Sequence, residues 1–70
     1  MIKIQKLLAK YLSRNGIAIS HVARVSGIKY ELLRRSLNEN RALLADELVA
    51  ILTSTGIKLK DVLNEQQHKI

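Results

Sequence analysis

The sequence predicts an all-α chain built from five short helices. Three observations carry that reading: apolar residues recur at helical spacing, the three glycines fall between those runs, and there is no proline. Gly16, Gly27 and Gly56 can each close a helix by adopting a left-handed backbone. A chain of 70 residues is expected to form a single domain over residues 1–70, with a core over about residues 4–63. The polar tail over residues 64–70 is expected to fray. A chain this short buries only about 60% of its unfolded surface, so it depends on a well-packed core or a partner chain. A hydrophobic content of 47% supplies that core and sets the sequence apart from disordered ones.

The first helix is expected over residues 2–14. Ile4, Leu7, Leu8, Tyr11 and Leu12 share one face, and Lys3, Lys6 and Lys10 lie on the other. A basic amphipathic helix can lie on a membrane, but within a globular pattern core packing is the better reading. The second helix is expected over residues 19–25, with Val22, Ala23 and Ile19 inward and Ser26 and Gly27 stopping it; Ser20 can cap a shorter version. The third covers residues 30–37. Leu33 and Leu37 point inward with Ser36 beside them, which leaves Tyr30, Glu31, Arg34 and Arg35 outside. Asn38, Glu39 and Asn40 form the following turn. The fourth covers residues 43–55, with Leu44, Leu48, Ile51, Leu52 and Thr55 as its buried stripe. The fifth begins near Leu59 and carries Val62 and Leu63 inward.

Charge points toward an anion. Twelve basic against six acidic residues give +6, and the sequence pI is near 10.1. Residues 1–41 hold nine basic residues and only two acidic ones, Glu31 and Glu39, whereas residues 42–70 hold three basic and four acidic. Nucleic acid, an anionic membrane surface or an acidic protein would therefore meet the N-terminal part. The bland alternative is a solvated basic face that aids solubility.

Several function classes find no support. Without cysteine there is no disulfide framework or thiolate chemistry, a usage that fits a reducing cytoplasm. Lysines interrupt the first apolar residues, so no signal-peptide pattern is present. No stretch approaches the roughly 20 apolar residues of a membrane span. His21 and His68 are the only histidines, and the sequence shows no metal-ligand cluster, phosphate-cradling glycine loop or paired carboxylates. Adjacent Asp46 and Glu47 diverge on a helix and suit its positive N-terminus better than acid–base work. Neither catalysis nor a cofactor is expected.

The informative constellation is the second helix, its turn and the third helix. Two short helices joined by a tight glycine turn cross at a large angle. This requires a small residue where they touch, a glycine between them and apolar anchors beneath the third helix; Ala23, Gly27, Ile28, Leu33 and Leu37 supply these in order. The outer face of the third helix is then free to enter a major groove, which is wide enough for one α-helix.

Ile17, Val22, Ala23, Ser26, Gly27, Ile28 and Leu33 sit at the spacing of the Cro and CI repressor superfamily, also called Xre-like, and the chain resembles that family over about residues 4–63. Gly56, Ile57, Lys58 and Leu59 with Asp61, Val62 and Leu63 look like the family's closing segment. Ser36 followed by Leu37 is similar to small phage Cro proteins in particular. Two positions depart from the family pattern. Ile19 stands where many members carry a phosphate-contacting glutamine, and Tyr30 and Leu32 make the reading surface unusually apolar.

The resemblance implies a compact five-helix, lambda-repressor-like domain that binds double-stranded DNA in a sequence-specific manner and regulates transcription in the cytoplasm. By position, it implies that Lys29, Tyr30, Glu31, Leu32 and Arg34 face base edges. Arginine can hold guanine bidentately, glutamate can accept from cytosine, and leucine can touch a thymine methyl. Ser20, His21, Arg24, Arg35, Asn38, Asn40 and Arg41 would reach phosphates and set register. Family members commonly pair on two half-sites, which implies a homodimer through apolar residues such as Ile57, Leu59 and Val62. The alternative is a protein-binding module on the same fold, an antirepressor, antitoxin or inhibitor, which the apolar surface of the third helix favours.

Overall fold

A computed structural model describes residues 3–67. Among the described residues the elements are α1 (Ile4–Arg14), α2 (Ile19–Ser26), α3 (Tyr30–Asn38), α4 (Ala45–Thr55), α5 (Leu59–Leu63) and a 3₁₀ turn over Asn64–Gln67, with no strand. The all-helical, five-helix expectation therefore stands. Ile2, expected to open the first helix, lies outside the described residues; Lys3 is extended and caps α1.

One apolar cluster joins all five helices. Leu7, Leu8 and Leu12 come from α1, Val22 and Ala23 from α2, Leu33 and Leu37 from α3, Ile51 from α4 and Val62 from α5, with Ile57 added by the preceding loop. Packing follows from these faces. α4 lies against α2, while α1 contacts α3, α5 and the 3₁₀ turn. The Cα radius of gyration is 11.0 Å, the value expected for a folded chain of this length, about 11 Å.

The α2–α3 turn is built locally. Gly27 takes φ +78°, a conformation that costs an ordinary residue about 1–2 kcal/mol. Its N–H donates to the Ala23 carbonyl at 3.0 Å. Ser26 Oγ donates to the same carbonyl and accepts the Ile28 N–H, each at 3.4 Å. The turn that ends α4 repeats the device: Thr55 Oγ1 donates to the Ile51 carbonyl at 2.6 Å and accepts the Ile57 N–H at 3.3 Å. Hydroxyl, glycine and isoleucine in succession therefore set both helix ends.

Two expectations need correction. Leu44 is not part of the buried stripe of the fourth helix; it is 57% exposed and extended, and α4 starts one residue later. The Glu47 carboxylate accepts the Leu44 N–H at 3.0 Å, which satisfies an otherwise unpaired amide and fixes the start there. Leu63, expected inward, is 46% exposed, whereas Val62 is fully buried. Asn64–Gln67 form the 3₁₀ turn. Glu65 is buried and takes a two-pronged contact from Arg14, whose Nε donates to Oε1 at 3.1 Å and Oε2 at 3.0 Å, with Nη2 closing on Oε2. His68 lies outside the described residues.

Candidate functional site

α3 divides cleanly between a buried and an open face. Leu33, Ser36 and Leu37 are buried, while Tyr30, Glu31 and Arg35 are exposed and Leu32 and Arg34 are intermediate. Successive residues lie 100° apart around a helix, so positions 33, 36 and 37 share one side and 30, 31, 34 and 35 project from the rest. Lys29 caps the helix from an exposed position. All five base-edge candidates (Lys29, Tyr30, Glu31, Leu32 and Arg34) thus fall in one contiguous segment, with Leu32 half sunk into the protein. Nine residues of α3 span about 14 Å at 1.5 Å per residue.

Arg34 is not free. Its Nε donates to Glu31 Oε1 at 2.8 Å and its Nη1 to Glu39 Oε2 at 2.6 Å. The two carboxylates raise the arginine pKa, Glu31 contributing most and Glu39 next. On the exposed side of α2, Arg24 Nη2 lies 3.1 Å from His21 Nδ1, with Ser20 exposed beside them. Among the described residues Arg24, Lys29 and Arg35 have no ion-pair partner. These three are the cations left open to an anion around the α2–α3 unit.

The loop after α3 departs most from expectation. Arg41, expected to reach a phosphate, is turned into the protein. Its Nη1 donates to the buried Ser36 Oγ at 2.8 Å and to Glu47 Oε1 at 3.1 Å, and its Nη2 to Glu47 Oε2 at 3.2 Å. The Glu47 carboxyl is held below the usual carboxylate range, first by the Arg41 hydrogen bond and then by the Leu44 amide, against an opposing effect of burial. Asn40 is the one described residue other than glycine with positive φ, +66°, a conformation asparagine tolerates better than most residues. Its Oδ1 faces Gln5 Nε2 at 3.5 Å, and Gln5 Nε2 donates to the Arg41 carbonyl at 3.3 Å. Asn38 is exposed at the end of α3.

Gln5, Glu39, Glu47 and Glu65 were not singled out as site residues from sequence. Gln5 carried a readable signal, because it shares the inward register of Leu8 and Leu12 on α1 and is buried with them. Glu39 and Glu65 act through partners that sequence spacing does not reveal, and Glu47 serves Arg41 as well as the nearby Leu44 amide.

Of the expected pairing residues, Ile57 and Val62 belong to the core, at 9% and 0% exposure, and only Leu59 is open at 42%. The short α5 turns Val62 under α1, and Ile57 packs into the same core from the preceding loop. Val25, Val49 and Leu63 are further exposed apolar residues. Among the described residues no group of three His, Cys, Asp or Glu is placed to hold a metal, and no helix is long and apolar enough to cross a membrane. Comparison with known proteins returns no match to a family, to a curated protein or to a solved structure.

Proposed function

We propose that this chain is a sequence-specific, double-stranded DNA-binding regulator of the Cro and CI repressor type, with a lambda-repressor-like fold and α3 as its reading helix. The observation that carries the reading is the division of α3: one side is locked into the core by Leu33, Ser36 and Leu37, and the other offers Tyr30, Glu31, Arg34 and Arg35 to the outside. A helix about 10–12 Å across fits a major groove about 12 Å wide. Lys29, Arg24 and Arg35 flank that face and would meet phosphates, consistent with nine basic residues in the first 41. Binding as a homodimer to two half-sites in the cytoplasm, with Leu59 at or near the pairing surface, completes the proposal. No catalysis and no cofactor enter it.

Selection from random duplexes with the purified protein tests the reading, followed by titrations of the selected and a scrambled duplex at several salt concentrations. A preferred sequence whose affinity falls steeply with salt supports it. The second reading, a protein-binding module, draws on the exposure of Tyr30 and Val25, 49% and 40%. Binding without preference among duplexes would favour that reading.

A further inference from the structure

Only two acidic residues occur in the first 41, against nine basic ones, and both of their carboxylates bond the same side chain, Arg34. Glu39 is the less expected of the two. It caps the C-terminal end of α3, where the helix dipole disfavours an anion. Its side chain is 53% exposed, and ion pairs that open to water add little stability. Neither helix formation nor core packing therefore explains a carboxylate there.

The donor count is informative. A guanidinium has five N–H groups. Nε and one N–H of Nη2 go to Glu31, and one N–H of Nη1 goes to Glu39. One N–H on each of Nη1 and Nη2 is left, and where these two lie on the outer edge of the guanidinium they match the O6 and N7 acceptors of guanine. The bound carboxylates also cancel the charge that would otherwise draw this arginine to a phosphate.

We propose that Glu39 is a specificity-determining residue: together with Glu31 it holds Arg34 away from the phosphates and aims its remaining N–H pair at a guanine in the major groove. The inference rests on the reading of this chain as a duplex-DNA binder and deepens it, because it divides the basic residues by task. Arg24, Lys29 and Arg35, without carboxylate partners, hold the backbone, while the buttressed Arg34 reads a base.

A double-mutant cycle on Glu39→Gln and Arg34→Ala tests it, using the duplex recovered by selection and a scrambled duplex of the same composition. Helicity and melting of each variant are checked first; both side chains lie at the surface, so the fold is expected to persist. In the parent background Glu39→Gln should lower the selected-to-scrambled affinity ratio about fivefold or more. It should also steepen the salt dependence, because one of the two carboxylates that cancel the Arg34 charge is removed. In the Arg34→Ala background the same change should leave the ratio unaltered. An equal effect in both backgrounds would mean that Glu39 acts only as a general negative charge, and no effect in either would mean that it does not act at all; each overturns the inference while leaving DNA binding intact. A parent protein that prefers no duplex would remove the functional reading and the inference with it.

Discussion

Arg41→Ala is expected to destabilise the fold rather than to loosen a phosphate contact. The guanidinium serves two groups that water reaches poorly. Ser36 Oγ, on a residue with 0% exposure, would lose a donor 2.8 Å away, and a buried hydroxyl left unsatisfied costs about 1–3 kcal/mol. Glu47, with its side chain 14% exposed, would keep the Leu44 amide but lose its cation, adding about 1 kcal/mol. The sum is about 2–4 kcal/mol. A folded chain of 70 residues has about 4–10 kcal/mol in all, so the melting point should fall by about 8–30 °C. Urea unfolding followed by helical circular dichroism measures the loss, with Arg24→Ala as a surface comparison expected to stay within about 0.5 kcal/mol of the parent. The loss should also depend on pH. The folded-state pKa of Glu47 is depressed, so its contribution is present above the unfolded glutamate value of about 4.3 and disappears as pH falls through the lower folded value. The gap between parent and Arg41→Ala should therefore narrow below about pH 4.3. An unchanged urea midpoint, combined with a salt slope of DNA binding reduced by about one unit, would show that Arg41 points to solvent and refute the reasoning.

Ile51→Ala should cost about 2–5 kcal/mol by urea titration, and Leu48→Ala less, because Ile51 is fully buried and Leu48 only partly so. Gly27→Ala should cost about 1–2 kcal/mol; nothing lies within 4 Å of the added methyl, so a much larger loss would point to a clash instead of backbone strain. Val62→Ala should lower stability by about 2 kcal/mol at a midpoint independent of protein concentration, whereas a concentration-dependent midpoint would return Val62 to an interface. Ending the chain before Glu65 should lower the melting temperature, since Arg14 then loses its partner; an unchanged melt would support a frayed tail over residues 64–67.

The helices were legible where their signals are local. α2 and α3 end within one residue of expectation because Ser26, Gly27 and the asparagine-rich turn act on backbone groups a few positions away. The inward set Val22, Ala23, Leu33, Ser36 and Leu37 followed from helical period alone. What escaped was long-range or irregular. Glu65 meets Arg14 across 51 residues, and Gln5 meets Arg41 across 36, separations on which amphipathic spacing carries no information. Leu44 looked buried because the period was extended through it, yet the helix starts only at Ala45. The outer face of α3 was readable as a surface, but the state of its charges was not. Arg34 reaches Glu39 at the C-terminal end of α3, and Arg41 turns inward just after the left-handed residue Asn40.

The contact between Gln5 and the Asn40–Arg41 corner has a bearing on kinetics and thermodynamics. It ties the exit of α3 to the middle of the molecule through a side chain of the first helix, while Leu33 and Leu37 fix its inner side. Such a helix enters an encounter with its orientation already set, so little conformational entropy remains to be lost on docking. The expected signature is association limited by collision and electrostatic steering, without a slow ordering step. The accompanying heat-capacity change should match rigid surfaces coming together, without the larger value that accompanies coupled folding. Gln5→Ala, at a residue itself buried on α1, should slow association and enlarge that heat-capacity change while leaving the outer face of α3 chemically unaltered.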